Sequence, residues 1–190
     1  ADRLEEMGVA CYKIGSGECN NFPLVEHIAK KRKPIILSTG MCGMSEIEEA
    51  LDVIASQDNK NVILLHCVSV YPTDPKDVNL KAINTIKNTF KVPTGYSDHT
   101  IGNTVSNAAL SMGANVLEKH FTLNKNLEGA DHALSADVKE LNELVKTRDT
   151  IYTAMGTGVK KATMIESLAI VGTILFVSGL IFSVWFNLYL

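Results

Sequence analysis

Apolar residues gather into five short runs: ACYKIGS (10–16), PIILST (34–39), NVILLHC (61–67), VPTGYSD (92–98) and NVLEKHF (115–121). Their apolar residues fall on both strand faces, the pattern of strands buried in a parallel sheet. A helical pattern follows each run. Asn21 as N-cap and Pro23 in the first turn open PLVEHIAKKRK, where the missing proline N–H costs nothing. Ser45 and Glu48 form an S-x-x-E capping box ahead of IEEALDVIA, and Asn79 stands where it caps LKAINTIKNTF. TVSNAALSM stops at Gly113, suited to a left-handed C-terminal residue, and Asp137 with Glu140 repeats the capping pattern before LNELVKTRDTIYTAM. The chain opens inside a helical stretch, ADRLEEMG, without a start methionine or cleavage site, so a fragment is expected.

The strand-like runs recur at the length of a β-α unit, which predicts an α/β parallel sheet. Nearly every run ends in polar residues: Lys13 and Ser16, Ser38 and Thr39, His66 and Ser69, Ser97 and His99, Glu118 and His120. An open doubly wound sheet gathers its ligand at one switch point, whereas a (β/α)8 TIM barrel draws chemistry from the C-terminal ends of many strands. The expected fold is therefore a TIM barrel, represented by its C-terminal five or so β-α units, with about three N-terminal units missing. Residues 1–160 are expected to form this partial barrel domain, and 161–190 a linker and a hydrophobic C-terminal helix.

From Ser167 to Leu190 no charged residue occurs. As a helix this stretch would extend about 36 Å, enough for a hydrocarbon core of about 30 Å. Lys160 and Lys161 precede it, and Trp185 and Tyr189 lie near its far end, in keeping with a transmembrane anchor on a cytoplasmic body. The competing readings are a buried helix and the translated remnant of a damaged gene.

Composition narrows the function classes. With 46% hydrophobic and 21% charged residues the chain reads as globular, and a net charge of −3 gives no electrostatic footprint for nucleic acid. The basic cluster KKRK (30–33) sits where a helix should end and suits its dipole. Cys11, Cys19, Cys42 and Cys67 show no C-x-x-C pair, so neither a zinc knuckle nor a disulfide framework is suggested, and a reducing compartment fits best.

Alternation along a strand puts Ser97 with His99 on one face of GYSDHT, and Glu118 with His120 on one face of VLEKHF. A lone histidine of this kind is more often a hydrogen-bonded core residue; two at matched strand ends favour a shared ion. Two nitrogens with oxygen ligands and open positions suit Mn²⁺, Fe²⁺, Co²⁺ or Zn²⁺. Lys13 lies inside an apolar run, where a buried ammonium is costly unless it meets an anion; the alternative is a side chain that snorkels out past the strand. Ser16, Ser38 and the loops GSGE and STGM add hydroxyls and backbone N–H groups near the same rim. G-S-G-E lacks the third glycine of a dinucleotide fingerprint, so together with Lys13 these groups suggest a small anionic substrate.

KIGSGE, PIILSTGM, LLHCVSVYP, GYSDHT, LEKHFT and GADHALS, in this order over about residues 1–160, make the chain resemble the sialic acid synthase family. That family comprises N-acetylneuraminate, legionaminate and pseudaminate synthases. The resemblance implies a metal-containing barrel that condenses phosphoenolpyruvate with an N-acetylated hexose such as N-acetylmannosamine, yielding a nine-carbon sugar acid and phosphate. It implies His99 and His120 as metal ligands, with Mn²⁺ first and Mg²⁺ or Co²⁺ as alternatives. It implies Lys13, Ser16, Ser38 and Ser97 at phosphoenolpyruvate, and Glu18, Tyr71 and Asp131 around the sugar. Glu18 is the candidate for steering the sugar or shuttling a proton. Ser69 stands where some relatives carry asparagine, so its substrate contact is the least defined of the set. The family is a domain-exchanged homodimer whose C-terminal antifreeze-like domain reaches the partner's active site. That domain and the family's N-terminal segment are expected to be lacking here, so full turnover is not expected from the chain alone. The competing readings are another phosphoenolpyruvate–sugar condensing enzyme, such as a 3-deoxy-octulosonate synthase, and an inactive membrane-tethered remnant.

Overall fold

The structure is a computed structural model that describes residues 1–168. Residues 1–154 form one compact unit, and a second begins at Met155. The first unit runs α1 (Asp2–Glu6), β1 (Tyr12–Ile14), α2 (Phe22–Ala29), β2 (Ile35–Ser38), α3 (Met44–Ser56), β3 (Val62–Cys67), α4 (Lys81–Phe90), β4 (Thr94–Asp98), α5 (Thr104–Ser111), β5 (Leu117–Lys119) and α6 (Val138–Met155). Short 3-10 turns at Ser16–Glu18 and Pro75–Asp77 punctuate the loops after β1 and β3.

All strand pairs are parallel, and the five strands lie side by side in chain order. A doubly wound sheet reverses its winding direction once and cannot give sequential order throughout. Each β-α unit here adds the next strand on the same side, which is how a (β/α)8 barrel is laid down, and five of its units are present. The five expected strands all form.

Residues paired across a parallel ladder share a face, so the register sorts the side chains. Tyr12, Ile14, Ile35, Leu37, Val62 and Leu64 all point to one face, where they pack against Val25 and Ile28 of α2 and Ile47, Ala50 and Ile54 of α3. Every one of them is buried. At roughly 1.5–3 kcal/mol per fully buried aliphatic side chain, this helix-covered outer layer supplies most of the hydrophobic stabilisation. The alternate residues, Lys13, Ile36, Ser38, Ile63, Leu65, Cys67, Gly95, Ser97 and Glu118, form the inner face.

Local signals hold with two corrections. Asn21 caps α2, accepting from Leu24 N at 3.4 Å, and Gly113 adopts φ 89° after α5. Asp137 and Glu140 complete a reciprocal box, Asp137 N donating to the Glu140 carboxylate at 3.1 Å and Glu140 N to Asp137 Oδ1 at 2.8 Å. The box expected at Ser45 and Glu48 does not form. Gly43 is already extended, α3 starts at Met44, and Glu46 reaches back to Gly43 N at 2.7 Å. Nor does Asn79 cap α4; it takes a left-handed conformation, φ 51°, and Leu80 precedes the helix without a side-chain cap.

The KKRK cluster follows α2 directly, and each of its side chains meets a carboxylate. Lys30 meets Glu26 at 2.7 Å, Lys31 meets Asp2 at 2.6 Å, Arg32 meets Asp58 at 3.8 Å and Lys33 meets Glu5 at 3.0 Å. In the second unit, Thr163 and Glu166 form a capping box. Among the described residues no helix is long and apolar enough to cross a membrane. The expected hydrophobic helix of 167–190 falls, from residue 169 onward, outside the described residues.

Candidate functional site

The inner face turns polar toward the C-terminal ends of the strands. Lys13 of β1 donates to Ser38 Oγ of β2 at 2.8 Å and lies 3.5 Å from Glu118 of β5. Ser97 of β4 donates to Glu118 Oε1 at 2.8 Å and stands 3.5 Å from His99 Nε2. Just beyond the strand ends the two imidazoles meet, His99 and His120 lying edge to face with ring centroids 5.3 Å apart. Tyr71, from the loop after β3, packs 4.1 Å from His99 and 5.5 Å from His120. Asp131 approaches His120 Nδ1 to 3.6 Å, an ion-pair distance beyond hydrogen-bond range. Its segment is held in place by backbone bonds from Thr122 N to Ala136 O and from Ala136 N to His120 O.

His99 is oriented from behind. Its Nδ1 lies 2.8 Å from the Val68 carbonyl, which can only accept, so Nδ1 carries the proton and Nε2 has a free lone pair. Burial pushes this imidazole toward the neutral form, but the Cys67 thiol and the Val68 carbonyl outweigh it and raise its pKa. For Cys67, burial pushes the thiol up, while hydrogen bonds with His99, Ser16 and Ser97 prevail and hold it below its ordinary value. Burial, with the nearby Cys67, Asp131 and Glu118 charges, raises Tyr71.

A second set of groups sits where the loops after β1, β2 and β3 come together. Gly40 N donates to Ser16 Oγ at 3.0 Å. A side chain at Gly40 would collide with the Ser69 hydroxyl and come within 2.8 Å of Ser16 Oγ, so only glycine admits this approach. Ser69 Oγ is buried without a hydrogen-bond partner among the described residues, as are Asn103 Oδ1 and Asn107 Oδ1.

Of the residues singled out by sequence, Lys13, Ser38, Ser97, His99, His120, Tyr71 and Asp131 form one connected cluster, and Ser16 joins it through Cys67. Glu18 is exposed, and its carboxylate accepts from Asn21 at 2.6 Å, a bond that does not join it to this cluster. His66, grouped by sequence with the strand-end polar residues, points to the outer face, where its Nε2 meets the Val78 carbonyl at 2.7 Å. Its neighbour Cys67 takes the inner position, a residue that sequence reasoning passed over. Counting alternation back from Ser97 through the Cys67–Ser97 pairing would have found it, but the pairing is not written in one strand.

Asp98, directly before His99, also faces outward. Fully buried, it accepts from Thr100 N and Thr100 Oγ1 at 2.8 Å each, from Ser106, and from Lys119 Nζ at 2.9 Å. Lys119 directly precedes His120, and Asp98 pairs with Lys119 in the sheet register. A buried ion pair thus fastens the two strand ends from behind while their next residues present imidazoles in front. Among the described residues no group of three or more histidine, cysteine, aspartate or glutamate side chains is arranged to hold a metal ion.

A sequentially wound parallel α/β sheet with a polar cluster at its strand ends defines a barrel-type fold, a class in which active sites lie on the C-terminal rim. The chain belongs to the NeuB family, whose sequence profile matches residues 1–160. It is 49% identical over 167 residues to the N,N'-diacetyllegionaminic acid synthase of Campylobacter jejuni, covering 87% of this chain and 50% of that protein. It is 40% identical over 159 residues to the human N-acetylneuraminate-9-phosphate synthase, covering 83% and 44%. The fold matches the crystal structure of N-acetylneuraminic acid (sialic acid) synthetase from Leptospira borgpetersenii in complex with citrate. That match has a TM-score of 0.83 and 38% identity and covers 89% of this chain and 59% of that one. A phospho-2-dehydro-3-deoxyheptonate aldolase from Thermotoga maritima matches at TM-score 0.72 and 21% identity, a likeness of fold alone. The chain spans about half the length of the curated relatives it matches.

Proposed function

We propose that this chain contributes the C-terminal half-barrel of a synthase that condenses phosphoenolpyruvate with an N-acetylated hexose of the N-acetylmannosamine type, releasing phosphate and a nine-carbon sugar acid. The observation that carries the reading is the placement of Lys13, Ser38, Ser97, His99 and His120 on one face, ammonium and hydroxyls beside a converging imidazole pair. Synthase names among its relatives and a citrate-bound structural neighbour support an anionic substrate.

The donor set fits a divalent cation of the Mn²⁺ class. His99 Nε2 is free to ligate because Nδ1 is committed to Val68 O, an outer hydrogen bond typical of metal-binding histidines. His120 supplies the second nitrogen, and two protein ligands leave positions for substrate oxygens and water. When bound, such an ion supplies Lewis acidity toward an aldehyde oxygen. The rest falls to the chain's own groups. Lys13, Ser16, Ser38 and Ser97 hold the phosphate and carboxylate, Glu18, Tyr71 and Asp131 border the sugar, and Ser69 is a further substrate contact. Holding both substrates side by side lets C3 of phosphoenolpyruvate form the bond to the aldehyde carbon. Water adds at C2 as the former aldehyde oxygen takes up a proton, and cleavage of the C–O bond releases phosphate with the proton of the C2 hydroxyl. Glu18, bonded to Asn21 in the free chain, would have to leave that partner to carry either proton.

The test mixes the chain with phosphoenolpyruvate, N-acetylmannosamine and Mn²⁺, with and without polypeptides carrying the three N-terminal β-α units and the C-terminal antifreeze-like domain of a relative. Phosphate release upon complementation, lost in His99→Ala and in His120→Ala, is the expected result. No release from the complemented, folded assembly, under conditions where the full-length relative turns over, would overturn it.

A further inference from the structure

Lys13, Ser38 and Ser97, the groups assigned to an incoming anion, already surround one that belongs to the protein. Glu118 Oε1 accepts from Ser97 Oγ at 2.8 Å, and Glu118 Oε2 lies 3.5 Å from Lys13 Nζ. Lys13 is otherwise held by Ser38 Oγ at 2.8 Å and its neighbour's carbonyl, Ile14 O, at 3.0 Å. The ladder pairing of Ser97 with Glu118 fixes the carboxylate beside the serine, and the inward orientation shared by Lys13 and Glu118 brings the ammonium toward it. A carboxylate so placed repels any phosphate or carboxylate that comes to the same donors. Side-chain exposures of 33% for Lys13 and 39% for Glu118 leave the pair solvated enough to open.

We infer that Glu118 is a resident counter-ion, which occupies the anion seat between Lys13 and Ser97 and is displaced when a phosphorylated carboxylate enters. This rests on the proposed function, because it takes Lys13, Ser38 and Ser97 as the substrate's anion receptors. Glu118 keeps the three donors gathered and satisfied while the seat is free of ligand, and it sets a threshold that weak monoanions do not cross. It acts through Lys13 and Ser97 and is a positioning residue.

The consequence runs opposite to that of a structural residue: removing the charge should improve binding. The purified chain, its Glu118→Gln, Glu118→Asp and Lys13→Met variants and the Glu118→Gln/Lys13→Met double variant are titrated calorimetrically with phosphoenolpyruvate and with inorganic phosphate at fixed ionic strength. Because the displaced pair is partly exposed, Glu118→Gln should bind phosphoenolpyruvate about two- to fivefold more tightly than the unmodified chain. Glu118→Asp, drawn back by one methylene, should gain less, Lys13→Met should lose binding, and the double variant should gain less over Lys13→Met than Glu118→Gln gains over the unmodified chain. Equal or weaker binding by Glu118→Gln and Glu118→Asp, with near-UV circular dichroism and melting unchanged, would overturn the counter-ion role. Lys13-dependent binding in the unmodified chain would then leave the anion site itself standing. Absence of phosphoenolpyruvate binding in the unmodified chain and in both glutamate variants, alone and when complemented with the N-terminal β-α units of a relative, would overturn the counter-ion role and the proposed function together.

Discussion

The two faces of the one sheet are made by alternate residues of the same strands, yet they follow opposite rules. On the outer face most positions are buried under helices, and its ion pair, Asp98 with Lys119, is buried to 0% and 6% exposure with further hydrogen bonds to each partner. On the inner face the ion pair of Lys13 and Glu118 is stretched to 3.5 Å and partly exposed, with side-chain exposures of 33% and 39%. Outer polar groups are satisfied by the protein and serve to hold it together. Inner ones are paired with each other, but through a longer and more exposed ion pair that costs less to open.

Replacing one lysine on each face should break the comparison if it is wrong. Lys119→Met strands the Asp98 carboxylate in a site without water, and losing one member of a buried pair costs about 3–5 kcal/mol. Lys13→Met removes an exposed, stretched contact, worth about 0.2–1 kcal/mol. Urea unfolding monitored by circular dichroism measures both; equal losses would mean the two faces do not differ in this way. Neighbouring apolar residues sharpen it. Leu64, fully buried against the helices, should lose about 2–5 kcal/mol on truncation to alanine, while Ile63, half-buried on the inner face, should lose clearly less in the same assay.

The sequence carried what depends on one strand at a time. The five apolar runs, their sequential β-α order and the side-by-side placement of Ser97 with His99 and of Glu118 with His120 all follow from local periodicity, and all appear in the fold. What depends on register between strands was not legible. His66 looked like a rim residue because polar residues near strand ends look alike, and only pairing with β4 shows that Cys67 faces inward. The Asp98–Lys119 bond joins residues of two strands, and neither strand alone shows it. Caps slipped by a residue or two because Gly43 could end the loop ahead of Ser45, and because Asn79 tolerates the left-handed conformation better than most residues.

A smaller effect is expected where the loops crowd together above the inner face. Gly40→Ala forces a methyl against the Ser16 and Ser69 side chains, an overpacking that costs about 1–3 kcal/mol if the loops cannot give. The paired variant Gly40→Ala/Ser69→Ala removes one obstacle and should recover part of the loss in thermal melts. Full cost persisting in the pair would place the strain elsewhere.

The mildest prediction concerns His66, the imidazole on the sealed side. Burial among α4 and the loop after β3 lowers its pKa below the ordinary 6.5, and the bond to the Val78 carbonyl only partly offsets this. Above 6.5 the ring is neutral in folded and unfolded chains alike, so its contribution to stability is fully present. As pH falls below 6.5 the unfolded chain takes up a proton that the folded one resists, which favours unfolding. The loss grows until the lower folded value has been passed and is then complete. His66→Gln keeps a donor for Val78 O but cannot take up the proton, so its unfolding free energy should fall less steeply than that of the unmodified chain over this interval. The difference between the two pH profiles isolates His66 from the other histidines, and parallel profiles would show that the outer face does not hold this ring neutral.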